Sequence, residues 1–255
     1  MRAKSLFEFN QTIKRFKTRR AGQGDKAPKY KPTSCTSLGP YGTNLSSTVN
    51  MGFFSVNLRK LISLPTDYYS VVVGKLLSDG WLERYSLTSN TRFLFKQSNI
   101  HADYVIHSFM TLSHYCSNIP YTVKTKVKGL TYYGVGFKTR SLACFNELHD
   151  LFYKNKIKVV PDNIYDLLTP IALAHWIMGD GAIRNKGLIL CTDSFTLQDV
   201  VLLMNVLKIK YDINTSIHMD NKRPRIYILP NSMPNLRKLV NLYILPSMQY
   251  KLNKS

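Results

Sequence analysis

Two aspartates, Asp79 and Asp180, close two similar apolar runs. The first run reads Val72-Val73-Gly74-Lys75-Leu76-Leu77-Ser78-Asp79-Gly80. The second, 101 residues later, reads Leu173-Ala174-His175-Trp176-Ile177-Met178-Gly179-Asp180-Gly181. Each has the pattern of a helix that stops at Asp-Gly. Gly after a helix is an ordinary cap, because it adopts the left-handed conformation at little cost. Asp in the last turn is not ordinary. It meets the negative end of the helix dipole, at a cost of roughly 0.3–1 kcal/mol. One such copy reads as a turn signal. Two copies, each with an apolar run before it and strand-like segments after it, point to a need for two carboxylates at two helix ends.

Two carboxylates brought together repel, and one pKa rises. A divalent cation removes that cost. Carboxylate and carbonyl oxygens suit Mg²⁺, which keeps much of its water. In phosphodiester hydrolysis such an ion orients water, stabilises the pentacovalent phosphate and neutralises the leaving oxygen. A nearby lysine would stabilise charge or perturb the attacking water. For the carboxylates to meet, the two helices must pack side by side. Gly74 and Ser78, four apart, give the first helix a small-residue face. In the second, Ala174 and Gly179 are small but His175 and Met178 are not, so a looser or rotated seam is expected there. Lys75 is expected to face outward, and His175 to be a packing residue.

The charge balance names a class of partner. The 255 residues hold 35 Lys plus Arg against 15 Asp plus Glu, a formal charge of +20. Such an excess implies a polyanion, either nucleic acid or an anionic membrane surface. No run of about 18 apolar residues is present, so no membrane span is expected. The positive charge is spread through strand-like segments rather than along one amphipathic helix, which favours nucleic acid. The four cysteines, Cys35, Cys116, Cys144 and Cys191, lack zinc-binding spacing and are expected to be buried or free thiols.

The elements that would position the aspartates repeat. Residues 1–57 form a basic extension, expected to be partly disordered. Residues 1–20 are compatible with a mitochondrial transit peptide, a phosphate-binding arm or the remnant of a fused upstream reading frame. From residue 58 the periodicity predicts a helix over 68–78, strands over 81–87 and 91–97 turning at Ser89-Asn90, and a helix over 100–117. Strands over 121–128 and 131–138 turn at Gly129, and a helix follows over 141–153. After a joining segment, 154–168, the pattern returns within 169–255. It predicts a helix over 170–178 opened by Pro170, strands over 182–185 and 188–191, a helix over 196–208, strands over 213–218 and 225–229, and a helix over 232–244. The fold class is therefore α+β, with two αββαββα halves related by a pseudo-twofold axis and one Asp at a helix end in each.

The strands carry the cations. Arg84, Arg92, Lys96 and Gln97 decorate the first hairpin; Lys124, Lys126, Lys128, Lys138 and Arg140 the second. Arg184, Lys186, Lys222, Arg223 and Arg225 decorate the other half. A two-stranded ribbon fits the DNA major groove, with alternate side chains facing base edges. Each cation alone is more readily a phosphate contact than a base reader; the collective surplus is what points to DNA.

At these residues the chain resembles the LAGLIDADG homing endonucleases, in the single-chain form with two motifs. Val72–Gly80 and Leu173–Gly181 each match the nine-residue motif, and the likeness runs over residues 58–252. Leu168–Gly181 and the closing Pro246-Ser247-Met248-Gln249-Tyr250-Lys251-Leu252 resemble the omega-like subgroup of mitochondrial group I introns. The resemblance implies a saddle of two antiparallel sheets with the motif helices at its centre. It implies a monomer that cuts both strands of a long double-stranded site, about twenty base pairs, across the minor groove. It further implies Mg²⁺ held by Asp79 and Asp180, with the Ser78 and Gly179 carbonyls joining the shell. Mn²⁺ would substitute, and Ca²⁺ would bind without supporting cleavage. Active-site lysines carry over to Lys158, in Ile157-Lys158-Val159-Val160-Pro161, and to Lys251. The same family includes maturases that bind group I intron RNA, and its scaffold also serves regulators that only bind DNA. Loss of either Asp would favour those readings; both are present. A mitochondrial location follows from the resemblance alone.

Overall fold

The computed structural model describes residues 46–127 and 130–252. The first half contains α1 (Val56–Leu61), α2 (Thr66–Leu76), β1 (Trp81–Glu83), β2 (Arg92–Ser98), α3 (Ala102–Leu112), β3 (Tyr121–Val127), β4 (Leu130–Lys138) and α4 (Asn146–Phe152). A two-stranded ladder, β5 (Tyr153–Lys154) with β6 (Ile157–Lys158), and a short helix α5 (Ile164–Leu167) lead to the second half. That half contains α6 (Pro170–Asp180), β7 (Gly181–Arg184), β8 (Gly187–Leu190), α7 (Leu197–Tyr211), β9 (Thr215–Asp220), β10 (Arg223–Ile228) and α8 (Met233–Val240).

The two sheets have the same strand order, β1-β2-β4-β3 and β7-β8-β10-β9, with every pairing antiparallel. The duplication expected from the sequence is thus present in the topology. Alternation puts one face of each sheet into the core. Phe93, Phe95 and Phe137 pack under Tyr104 and Phe109 of α3, edge-to-face at ring separations of 5.3–6.2 Å. Leu188, Leu190, Ile226 and Ile228 do the same beneath α7. Local chemistry fixes the helix starts. Thr169 accepts from the Ala172 N–H, with Pro170 in the first turn. Thr196 and Asp199 form a reciprocal capping box on α7.

Several expectations are corrected. The first hairpin is not continuous over 81–87: β1 stops at Glu83 and residues 84–90 form a loop. The reason is Arg84, whose guanidinium donates to the Ser89 and Leu87 carbonyls and pairs with Asp150. The helix over 100–117 divides into α3 with a 3₁₀ turn at each end. The final helix is shorter than 232–244. Neither motif glycine is left-handed: Gly181 sits at φ −75°, and Gly80 has no positive φ. They are there for room. A Cβ on Gly80 would stand 2.8 Å from the Lys75 carbonyl oxygen, and one on Gly181 would stand 2.6 Å from that of Ile177.

Lys75 does not face outward. It is fully buried, its Nζ donating to Ser108 Oγ at 2.6 Å and lying 4.0 Å from the centres of the Phe95 and Tyr104 rings. His175 is buried as expected. Residues 46–57 of the expected extension are tied to the first half. Thr48 Oγ1 donates to the His114 and Cys116 carbonyls, and the Arg140 guanidinium donates to the carbonyls of Thr48, Met51 and Gly52. The expectations for residues 1–45, Lys128, Gly129 and Cys35 lie outside the described residues. Cys116, Cys144 and Cys191 are free thiols. Among the described residues no helix is long and apolar enough to cross a membrane.

Candidate active site and nucleic-acid face

The motif helices α2 and α6 meet along their small residues. Gly74 lies against Ala172 and His175, so closely that a Cβ on Gly74 would be 2.2 Å from the Ala172 carbonyl oxygen. One turn later Gly179 lies against Ser78: its Cβ would be 2.3 Å from Ser78 Oγ and 3.6 Å from Asp79 Oδ2. The bulk of His175 does not loosen the seam, because Gly74 leaves room opposite it. This contact brings the two carboxylates to one place. Asp180 ends α6, whereas Asp79 stands in the turn just beyond α2. The Lys75 carbonyl is the central acceptor of that turn: it takes hydrogen bonds from the Ser78 and Gly80 N–H groups and shares Ser78 Oγ with the Gly74 carbonyl.

A lysine reaches each motif end, one from the joining segment and one from the end of the second half. Lys158, on β6, donates to the Ser78 carbonyl at 3.0 Å and the Gly80 carbonyl at 2.8 Å. Lys251 donates to the Gly179 carbonyl at 2.6 Å and the Met178 carbonyl at 2.7 Å. The positions just before the two aspartates, Ser78 and Gly179, are thus bound in the same way in both halves. Those carbonyls already serve an ammonium, so either can reach a metal only through its second lone pair.

The electrostatics follow from crowding. Burial raises the Asp180 carboxyl to about 7, with Asp79 adding to the rise and Lys251 and Lys158 opposing it. Burial lowers Lys158 to about 8, against the pull of Asp180 and Asp79. Lys251 is lowered for the same reasons. The donor set is two carboxylates and backbone carbonyls, all hard oxygen. The mutual repulsion of the carboxylates is what a divalent cation would relieve, so these residues fit Mg²⁺. Among the described residues no group of three or more His, Cys, Asp or Glu could hold a metal; further ligands would have to be water and the substrate's own oxygens.

The two halves also differ in what faces each aspartate. Gln97 Nε2 donates to Asp79 Oδ2. Counting from Gly80 and Gly181 through the paired strands, the position of Gln97 falls on Thr192 in the second half. Thr192 Oγ1 is turned away and donates to the Pro224 carbonyl at 2.6 Å. Gln97 was expected to read DNA. Its parity with Phe93 and Phe95 on β2 is the sequence signal that puts it on the inner side, beside the carboxylate.

The sequence pattern of the LAGLIDADG DNA endonuclease family matches residues 69–236, more than half the chain. The chain belongs to this family. It is 38% identical over 204 residues to the cytochrome b mRNA maturase bI2 of Debaryomyces hansenii, covering 77% of both proteins. It is 38% identical over 197 residues to the maturase bI2 of Saccharomyces cerevisiae, covering 72% of this chain but only 46% of that longer protein. It is 30% identical over 193 residues to a probable intron-encoded endonuclease of Wickerhamomyces canadensis, covering 71% of this chain and 81% of that one. The solved structure of the homing endonuclease I-WcaI bound to its DNA recognition sequence superposes with a TM-score of 0.72 at 27% identity, over 76% of this chain and 89% of that one.

In this LAGLIDADG chain the expected DNA contacts fall into two groups. Lys96 and Lys138 are exposed on the sheet face opposite the first core, as their pairing with Gly136 and Leu94 requires. Gly134 and Gly136 keep that face flat. Arg184, Lys186, Lys222 and Arg223 are exposed on the second half, Arg223 with Asp193 at 3.9 Å. Lys124 and Lys126 are exposed but pair with Tyr133 and Thr131, whose parity is that of Phe137, so they lie on the other side of the ribbon. Four arginines hold the fold instead. Arg84 is only 14% exposed and anchors its loop. Arg92 binds Glu83 and Tyr85. Arg225 is forked on Asp193 and paired with Asp220. Arg140 clamps residues 48–52.

Proposed function

We propose that this protein is a site-specific, Mg²⁺-dependent DNA endonuclease that cuts both strands of a long duplex. The observation that carries this reading is the pairing of Asp79 and Asp180 at the α2–α6 seam, each flanked by a carbonyl that a lysine holds. Asp79 and Asp180 would hold the metal, and the Ser78 and Gly179 carbonyls would join its shell beside water and substrate oxygens. A bound Mg²⁺ would polarise the phosphate and lower the pKa of its water. Gln97 orients the Asp79 carboxylate. Lys158 and Lys251 fix the turn at each motif end and place positive charge where the phosphodiester charge grows. The exposed lysines of the two sheets would hold the duplex through its phosphates. A site of about twenty base pairs, a monomeric state, Mn²⁺ substitution, Ca²⁺ binding without cleavage and a mitochondrial location belong to the same proposal.

The experiment is cleavage of a randomised duplex library in Mg²⁺, Ca²⁺ or EDTA, with the ends sequenced. An intronless cytochrome b gene is included, because two relatives act on cytochrome b mRNA. Discrete ends at one long motif, with Mg²⁺ only, are expected. A second reading is favoured by those relatives' names: a maturase that binds group I intron RNA and assists splicing. Splicing of a cytochrome b group I intron dependent on this protein, with no DNA cut under any metal, would replace the first reading by the second.

A further inference from the structure

Lys75 is a fully buried lysine in the last turn of α2, and it has little company. Its Nζ, which burial holds well below the usual lysine range, finds one hydroxyl partner, Ser108 Oγ at 2.6 Å, between the rings of Phe95 and Tyr104. No carboxylate pairs with it among the described residues. A buried amine so placed costs stability, and an apolar side chain of the same length would fill the space more cheaply. The side chain must therefore do something that packing alone does not require.

Its connections say what. Ser108 Oγ passes the contact on to the Tyr104 carbonyl at 2.6 Å. Tyr104 Oη lies 3.1 Å from His175 Nδ1 and 3.2 Å from the His175 carbonyl oxygen, on the opposing motif helix. The tyrosine ring stacks on the imidazole, 20° from parallel. The chain Lys75–Ser108–Tyr104–His175 thus runs from α2 through α3 to α6. At its start, the backbone carbonyl of Lys75 is the central acceptor of the Asp79 turn.

We propose that Lys75 is a positioning residue: through Ser108, Tyr104 and His175 it sets the register of the two motif helices, and through it the spacing of Asp79 and Asp180. The proposal rests on the endonuclease reading, but its first test does not. Lys75→Met keeps the length and removes the amine. The expected result is hydrogen exchange about tenfold faster in the segment 76–81, with the sheet cores unchanged. In cleavage, kcat is expected to fall about 10–100-fold, as for residues that orient metal ligands. DNA affinity in Ca²⁺ stays at the wild-type value, and nicked duplex accumulates because the two cuts fall out of step. Ser108→Ala should give a smaller version of the same changes, and its effect should vanish in the Lys75→Met background. If Lys75→Met does not fold, Ser108→Ala and Tyr104→Phe carry the same test. Wild-type exchange at 76–81 together with wild-type cutting would overturn the proposal. A wild-type protein that cuts no duplex, yet shows the exchange change on substitution, would sink the endonuclease reading and leave the positioning role of Lys75 standing.

Discussion

Gly74 rests on the backbone of Ala172, with no room for a methyl group between them. The obstruction is a helix carbonyl, which cannot rotate away as a side-chain end would. Gly74→Ala gains about 1 kcal/mol of helix propensity, but overpacking at such a contact costs about 1–3 kcal/mol and forces the helices apart. Net destabilisation is expected in urea unfolding, with loss of cleavage beyond what stability explains. Gly52, with nothing within 4 Å of its Cβ position, is the control. A Gly74→Ala protein as stable and active as Gly52→Ala would contradict the close seam.

The motif aspartates should separate binding from cutting. Asp79→Asn and Asp180→Asn keep the side-chain shape and remove the charge that would hold a cation. Duplex affinity, measured by gel shift in Ca²⁺, is expected to fall by less than about tenfold, while double-strand cleavage in Mg²⁺ drops by at least about a thousandfold. Continued cutting by the double variant would mean that the active site lies elsewhere.

Asp180 also predicts a pH dependence in metal-free protein. Its folded pKa, about 7, lies above the ordinary 3.8. The folded state therefore holds a proton that the unfolded state has released, and stability falls as pH rises from about 4 to about 7. In EDTA, wild-type protein should lose on the order of 2 kcal/mol relative to Asp180→Asn between pH 5 and pH 8. A saturating divalent cation should remove the difference by favouring the ionised pair. Parallel stability–pH curves for the two proteins would show that Asp180 is not crowded as described.

Lys158 and Lys251 each satisfy two buried carbonyls at a motif end. Replacing either by Ala leaves those acceptors unpaired, at about 1–3 kcal/mol, and lets the Asp turn drift. Single-turnover cleavage should slow about 10–100-fold for each, less than for the aspartates. If both variants cut at the wild-type rate, the lysines serve only the fold.

The architecture was legible because it rests on periodicity. The alternation over 91–97 and the helical spacing of Leu197, Val200, Val201, Met204 and Leu207 predict β2 and α7, which are observed. The lysine positions were legible only through the family resemblance, since nothing local to Lys158 or Lys251 announces a carbonyl more than seventy residues away. Lys75 was misread because charge ordinarily marks an exposed position; its hydroxyl partner is 33 residues distant. The motif glycines were misread because a turn glycine suggests left-handed backbone, whereas here the constraint is the nearness of the Lys75 and Ile177 carbonyls. The arginines were assigned by charge, but charge does not reveal which cation has an acid beside it.

That division of cations yields the last prediction. Lys96 and Lys138 are exposed and make no salt bridge among the described residues, so each phosphate they neutralise releases counterions. Lys96→Ala and Lys138→Ala should each weaken duplex binding about equally across sequences and lower the slope of log Kd against log salt by about 1. Arg84 and Arg225 are already neutralised, by Asp150 and by Asp193 with Asp220. Arg84→Ala frees the 84–90 loop and strands Asp150, so it should lower thermal stability while leaving the salt slope within about 0.3 of wild type. Arg225→Ala should go further. It leaves Asp193 and Asp220 on the DNA-facing side of the second sheet with Arg223 alone to offset them, so affinity should fall through repulsion, most steeply at low salt. Fluorescence anisotropy on one duplex from about 50 to 300 mM salt distinguishes these outcomes. Equal slope changes for Lys96→Ala and Arg84→Ala would mean that Arg84 leaves Asp150 for a phosphate when DNA binds.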